Sequence, residues 1–292
     1  MFSPAWTEAL RLRTLPASII PVLCGAALAL REDALIIPVT ALALICALLI
    51  QTGTNLANDY YDFIRGADNA DRVGFRRASA SGDIDSKTVR NAAVLSFIGA
   101  FLLGLVIVFH AGWIVLLIGI TSIIAGFMYT GGPYPLAYNG LGDLFVFIFF
   151  GLVAVTGTYY INTLYFHPTA LISALPIGAL STMILVVNNY RDVHTDKIAG
   201  KRTLAVLLGE RFTRLEYLFL MLLAFLSPLW LHLSFSFSIL ILLPLILAPW
   251  GLFLVYRFWS TIDKKAFNPL LVQTALFMSC FGILFIIGIA SS

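Results

Sequence analysis

The 292-residue chain is 60% hydrophobic and 11% charged, with a mean hydropathy of +0.95 and a formal net charge of +3. Soluble globular domains run at roughly 45–50% apolar and about 25% charged, so this much apolar surface requires lipid as its solvent. That excludes a soluble enzyme, and the absence of short alternating segments excludes a transmembrane β-barrel. The small net charge gives no reason to expect a nucleic-acid partner. Three cysteines, Cys24, Cys46 and Cys280, lie inside apolar runs without metal or redox spacing and read as packed apolar side chains.

In chain order, Arg11 and Arg13 precede an apolar run at 14–30. Further apolar runs follow at once, so it reads as a retained first helix and not a signal peptide. The others fall at 34–58, 91–110, 112–129, 141–160, 170–188, 213–232, 235–257 and 269–290. The expected fold is an all-α membrane protein of about nine transmembrane helices, one polytopic domain over 1–292. Prolines such as Pro176, Pro244 and Pro249 fall inside spans, where membrane helices tolerate them. With the N-terminus inside, every one of the 18 Lys and Arg residues except Arg31 lies on the cytoplasmic side. Such a bias sets orientation, so a multi-pass cell-membrane location is expected, with the N-terminus and both long polar loops (59–90 and 190–214) cytoplasmic.

The second run leads into NDYYD, in which Asn58 and Asp62 are four apart and share a face if the helix continues. Asp59, Asp68 and Asp71 lie close by. The loop after the sixth run opens with RDVHTD, in which Asp192 and Asp196 are again four apart, followed by Gly200, Lys201 and Arg202. Each loop therefore carries an oxygen-ligand pair, a glycine and basic residues, a repeat suggesting two similar four-helix halves plus a ninth helix. Such oxygen pairs suit a hard cation such as Mg²⁺, which keeps few protein ligands and takes up phosphate oxygens. Lys and Arg nearby neutralise the rest of a diphosphate. An ion-coupled transporter would place its relay acids near the bilayer midplane, whereas these sit at helix ends. A transferase acting on alcohol phosphates would show a single Asp-rich motif with DG and AR elements, which NDYYDFIRGAD lacks.

At these residues the chain resembles the UbiA superfamily of intramembrane prenyltransferases, whose two Asp-rich motifs match NDYYD at Asn58 to Asp62 and RDVHTD at Arg191 to Asp196. The resemblance implies helices around a central cavity. It also implies that Asn58, Asp62, Asp192 and Asp196 hold Mg²⁺ against an allylic diphosphate, with Asp62, Asp192 and Asp196 catalytic. Where many members carry a further Asp, this chain has Gly66, with Asp68 two residues on; Asp59 and Asp68 are secondary candidates. RTLPASIIPVLCGAALA, YTGGPYPLAYNGLGDLFVFIFFGLVAVTGTYY and NNYRDVHTDKIAGKRTLAVLLGE look like the dihydroxynaphthoate branch. The Lys-Arg pair usual after the fourth helix in the ubiquinone branch is missing between Tyr129 and Gly142. The implied reaction moves a polyprenyl chain from its diphosphate to 1,4-dihydroxy-2-naphthoate, releasing diphosphate and CO₂ and giving demethylmenaquinone. A phytyl donor or another aromatic acceptor is the related alternative.

Lys201, Arg202, Arg65 and Arg77 are the candidate diphosphate ligands, set against a role as topology signals; Arg76 poses the same choice. Tyr61, Tyr129 and Tyr138 are candidates for the aromatic pocket, although an aromatic belt explains most tyrosines at that level. Phe145, Phe147, Phe149 and Phe150 read as lipid-facing or packing residues. Asp143 opens a helix, where an acid complements the N-terminus. Among the four histidines only His194 lies in a motif, and none has metal spacing.

Overall fold

The computed structural model describes residues 4–11, 14–68, 73–75 and 77–292. Arg13, Asp71, Arg72 and Arg76 lie outside the described residues. A short α1 (Pro4–Ala9) precedes α2 (Pro16–Arg31) and α3 (Ile37–Ile64). Then come α4 (Ser86–Ala111), α5 (Trp113–Met128) and α6 (Gly142–Val146). A π-helical segment, Phe147–Val153, runs from α6 into α7 (Ala154–Thr163). The second half holds α8 (Pro168–Arg191), α9 (Val193–Ile198) and α10 (Leu204–Ser234). A 3₁₀ segment, Ile239–Leu247, leads into α11 (Ala248–Ser260), and α12 (Phe267–Ala290) ends the chain.

Local chemistry sets these boundaries. Prolines occupy the first turn of α2, α3, α8 and α11, where the missing N–H is no loss. Asp85 caps α4 through the Thr88 amide, and Thr203 caps α10 through that of Val206. Helix α10 begins well before its apolar run and bends at Gly209, which sits at φ +82°.

Among the described residues seven helical stretches are long and apolar enough to cross a membrane: Ile37–Ile64, Ser86–Ala111, Gly142–Thr163, Pro168–Arg191, Leu204–Ser234, Ile239–Ser260 and Lys264–Ala290. The expectation of about nine is corrected to these seven plus two shorter apolar helices, α2 and α5, of 16 residues each. At 1.5 Å per residue each of the two is about 24 Å long, short of a hydrocarbon core of ~30 Å. The runs at 14–30 and 112–129 are these two helices, and the stretch 129–141 between the fourth and fifth runs forms a loop with a 3₁₀ turn at Leu136–Tyr138.

Helix α8 is the central post. Of its most apolar stretch 78% is buried, against 17% for α3, and it packs on α10, α12, α2 and the π-helical segment. Two glycines allow the closest approach: a Cβ built on Gly151 would lie 2.5 Å from Gly178 Cα, backbone against backbone. The main core is built around α8 from α2, α10, α11 and α12, with Tyr217, Phe258, Phe277, Phe281 and Phe285 inaccessible. The first half is packed less tightly. Between α2, α3, α4, α5, α7 and α8 it leaves a cavity of about 550 Å³, walled by apolar side chains and topped by polar ones.

Candidate active site

Both Asp-rich segments end their helices at the same end of this cavity. Asn58, Asp59 and Asp62 lie in the last two turns of α3, and all three are buried. Asn58 Nδ2 donates to Asp62 Oδ2 at 2.9 Å, so the four-residue spacing does put the pair on one face. Gly66 then turns the chain at φ +73°, a conformation that side-chain-bearing residues avoid, and this brings Asp68 back beside Asp62. Helix α8 ends at Arg191, with Asp192 as its cap and Asp196 on α9, and the Asp196 amide donates to the Asp192 carbonyl at 2.8 Å. Gly200, at φ +72°, returns Lys201 toward the same point.

Asp62, Asp68, Asp192, Asp196, Thr195 and Lys201 together line a void of about 10 Å³, about the volume one water-sized probe occupies. Lys201 stands between the two motifs, its Nζ 3.5 Å from Asp62 Oδ2 and 3.9 Å from Asp196 Oδ1. Arg191, 2% exposed, grips both oxygens of Asp192 at 2.7 and 2.6 Å. Arg77 lies 3.6 Å from Asp68, and burial lowers its pKa against the pull of Asp62, Asp59 and Asp192. Among the described residues no three Asp, Glu, His or Cys side chains are grouped closely enough to share one ion.

Tyr138 ties the motifs to the 129–141 loop. Its hydroxyl donates to Asp62 Oδ1 at 2.8 Å, Lys201 Nζ lies 5.5 Å from its ring centre, and its carbonyl accepts from the Arg202 amide at 3.1 Å. Burial and the neighbouring Asp62 carboxylate push the Tyr138 pKa up, keeping it a donor. Tyr129 lines the large cavity. Tyr61 and Tyr138 are not among the residues lining that cavity; Tyr61 packs edge-on against Phe127, 5.7 Å between ring centres, and against Gly131.

Three other candidates have different surroundings. Both oxygens of Asp59 accept backbone amides, Ala78 at 3.1 Å and Ser79 at 3.0 Å, so it holds the turn that carries Arg77. Arg65 donates to the carbonyls of Thr130 and Gly132, the latter at 3.0 Å, and braces the 129–141 loop. The Arg202 side chain is exposed, and its backbone forms a bridge to Asn139. His194 is exposed.

The structure adds residues that spacing alone had not marked. Arg11, which reads in the sequence only as a topology signal, donates to Asn58 Oδ1 and lines the cavity with Thr7 and Glu8. Asn268, at the start of α12, accepts from Arg191 at 2.9 Å and donates to the Val73 carbonyl at 3.0 Å, so it joins the two Asp-rich loops. Nothing in its local sequence signals this, because both partners are remote in the chain. Phe145, Phe149 and Phe150 line the cavity, which corrects the expectation that they face lipid or only pack. Phe149 and Phe150 lie within the π-helical segment, which shifts the register away from a 3.6-residue repeat, and Phe145 and Phe149 stack with centres 5.8 Å apart.

The comparisons with known proteins agree with this architecture. The model of the UbiA prenyltransferase family matches residues 18–283. The 1,4-dihydroxy-2-naphthoate octaprenyltransferase of Escherichia coli is 34% identical, over 98% of this chain and 94% of that protein. The protein of the same name from Mycobacterium tuberculosis is 43% identical over 73% of this chain and 72% of its own length. The solved structure of a UbiA homolog from Archaeoglobus fulgidus bound to DMAPP and Mg²⁺ superposes with a TM-score of 0.67 at 16% identity, covering 97% of this chain and 99% of that one. Two Asp-rich helix ends over one apolar cavity, in a sequence that matches the family model along nearly its whole length, identify the chain as a member of the UbiA prenyltransferase family.

Proposed function

We propose that the chain transfers a polyprenyl group from a polyprenyl diphosphate to 1,4-dihydroxy-2-naphthoate, with loss of diphosphate and CO₂, giving demethylmenaquinone. The observation that carries the reading is the joining of two Asp-rich helix ends and Lys201, Arg77 and Arg191 at the polar end of one long apolar cavity. The relatives' names supply the acceptor.

The residues fit Mg²⁺. The small void is surrounded by hard carboxylate oxygens, as that ion prefers, and the Lys201 ammonium stands between Asp62 and Asp196 where a bridging cation would neutralise both. Asn58 with Asp62 and Asp192 with Asp196 are the ligands proposed for Mg²⁺ ions, no more than two carboxylates to each, with Asp68 at the rim. When bound, the ion draws charge onto the diphosphate leaving group. Lys201 and Arg77, at the cavity's polar end, pair with the diphosphate oxygens. The allylic C–O bond breaks with its electron pair going to the diphosphate. The electron-rich ring then forms the new C–C bond, and the electrons of the carboxyl C–C bond return to the ring as CO₂ leaves. Tyr129, Phe145 and Phe149 wall the reacting carbons from water, which would otherwise capture the cation.

The acceptor is tested by direct competition of dihydroxynaphthoate and 4-hydroxybenzoate at equal concentration with one prenyl donor. The 129–141 loop presents tyrosines and backbone groups and no basic pair, so the naphthoate product should predominate by ~10-fold or more. Predominance of prenylated hydroxybenzoate would overturn the acceptor assignment and leave prenyl transfer intact.

We also place the N-terminus and both Asp-rich loops on the cytoplasmic face of the membrane, in one catalytic domain, because the basic residues concentrate there. In a background lacking Cys24, Cys46 and Cys280, a cysteine at Ala70 or Ala199 should react with an impermeant reagent only from inside. Reaction from outside would reverse the orientation.

A further inference from the structure

Most polar side chains along the cavity wall are already engaged. The hydroxyls of Thr54, Ser122, Thr158 and Ser181 bond back to carbonyls of their own helices. Asn189 differs from these. It lies on α8 two residues before Arg191, lines the cavity near the diphosphate end, and directs Nδ2 away from the cavity toward both oxygens of Asp143, at 3.5 and 3.4 Å.

Asp143 is 4% exposed and stands behind Asn189, outside the cavity lining. An ionised carboxylate only accepts, so it selects one of the two orientations of the amide. The reverse orientation would press Oδ1 against the carboxylate. Asn189 Oδ1 is therefore left as an acceptor and makes no hydrogen bond among the described residues. The Tyr129 ring lines the cavity as well, with its hydroxyl packed near Gly142, next in sequence to Asp143.

We propose that Asn189 Oδ1 accepts a hydrogen bond from a ring hydroxyl of the aromatic acceptor, and that Asp143 is the positioning residue that holds the amide in this orientation. The inference rests on the prenyl-transfer reading above and deepens it. It defines the acceptor subsite as a fixed hydrogen-bond acceptor beside a tyrosine, one helical turn from the diphosphate. A site built to bond a hydroxyl discriminates against rings that lack one, because its own polar group is then left unpaired.

The test is to measure KM for the acceptor and for the prenyl donor separately in Asn189→Leu, Asp143→Leu and Asp143→Asn. Both leucine variants should raise the acceptor KM about tenfold or more, while the donor KM stays within about twofold. Asp143→Asn can still offer Oδ1 to the Asn189 amide, so its acceptor KM should return to within about threefold of the parent. Calorimetric binding of the acceptor to donor-free protein should weaken by the same factor. If Asn189→Leu does not fold, Asn189→Ala removes the same oxygen with less strain. An unchanged acceptor KM, or equal shifts in both KM values, would overturn the subsite while the parent enzyme still prenylates dihydroxynaphthoate. A parent protein that prenylates no aromatic acceptor would overturn the subsite and the functional reading together.

Discussion

Asp62→Asn and Asp192→Asn are each expected to lower turnover by about two to four orders of magnitude with Mg²⁺ limiting, the scale of losing a charged group at a metal-diphosphate site. Asp62 is the junction of the site: Tyr138 binds one oxygen, while Asn58 and Lys201 meet the other. An asparagine keeps the shape and one acceptor, so the helix end should survive while its charge is lost. Asp192→Asn leaves Arg191 buried without its bidentate partner, although Asn188 and Asn268 still accept from it. Its melting temperature should therefore fall as well, and a melting curve must accompany the rate. Asp59→Asn is the internal control. Asp59 is as deeply buried and only three residues from Asp62, yet its oxygens are committed to the Ala78 and Ser79 amides. Its variant should keep far more of its turnover per folded molecule than either of the others. Near-normal rates for Asp62→Asn, or equal losses at all three positions, would remove the metal assignment.

Gly151→Leu is expected to prevent accumulation of folded protein in the membrane. Inserting a side chain into a packed core typically costs about 1–3 kcal/mol when neighbouring side chains can move. Here the nearest atoms are the Gly178 Cα and N at 2.5 and 2.9 Å and the Ala174 carbonyl at 3.0 Å, so the backbone of α8 itself would have to shift. Helices in lipid associate through this kind of small-residue contact, since no hydrophobic drive presses them together. Displacing α8 would also move Arg191 and Asp192, which it carries. Gly119→Leu is the control, because a Cβ there meets nothing within 4 Å. Size-exclusion profiles in detergent would report both variants, and a wild-type profile for Gly151→Leu would refute the packing argument.

Much of this molecule is determined by its sequence alone. Lipid burial of 20-residue apolar runs is a local property, since each run must satisfy its own backbone whatever surrounds it, and so nearly every helix can be read directly. The four-residue spacing at Asn58 and Asp62 is local in the same way, because helical geometry puts both on one face before any tertiary contact forms. The path of the 129–141 loop was not legible, since no apolar period or spacing within it fixes its course, and it is held by Arg65 and Arg202 from distant segments. The same limit applies to the site. Spacing singles out Asp62, but Asp59 and Asp68 are not told apart by it, and only the fold directs Asp59 to backbone amides and Asp68 to the void shared with Asp62, Asp192 and Asp196. Which helix ends meet, which cation faces which carboxylate, and that Asn268 ties Arg191 to Val73 are decided by α8 packing among its neighbours. Those contacts join residues far apart in the chain, and no periodicity or spacing within one segment encodes them.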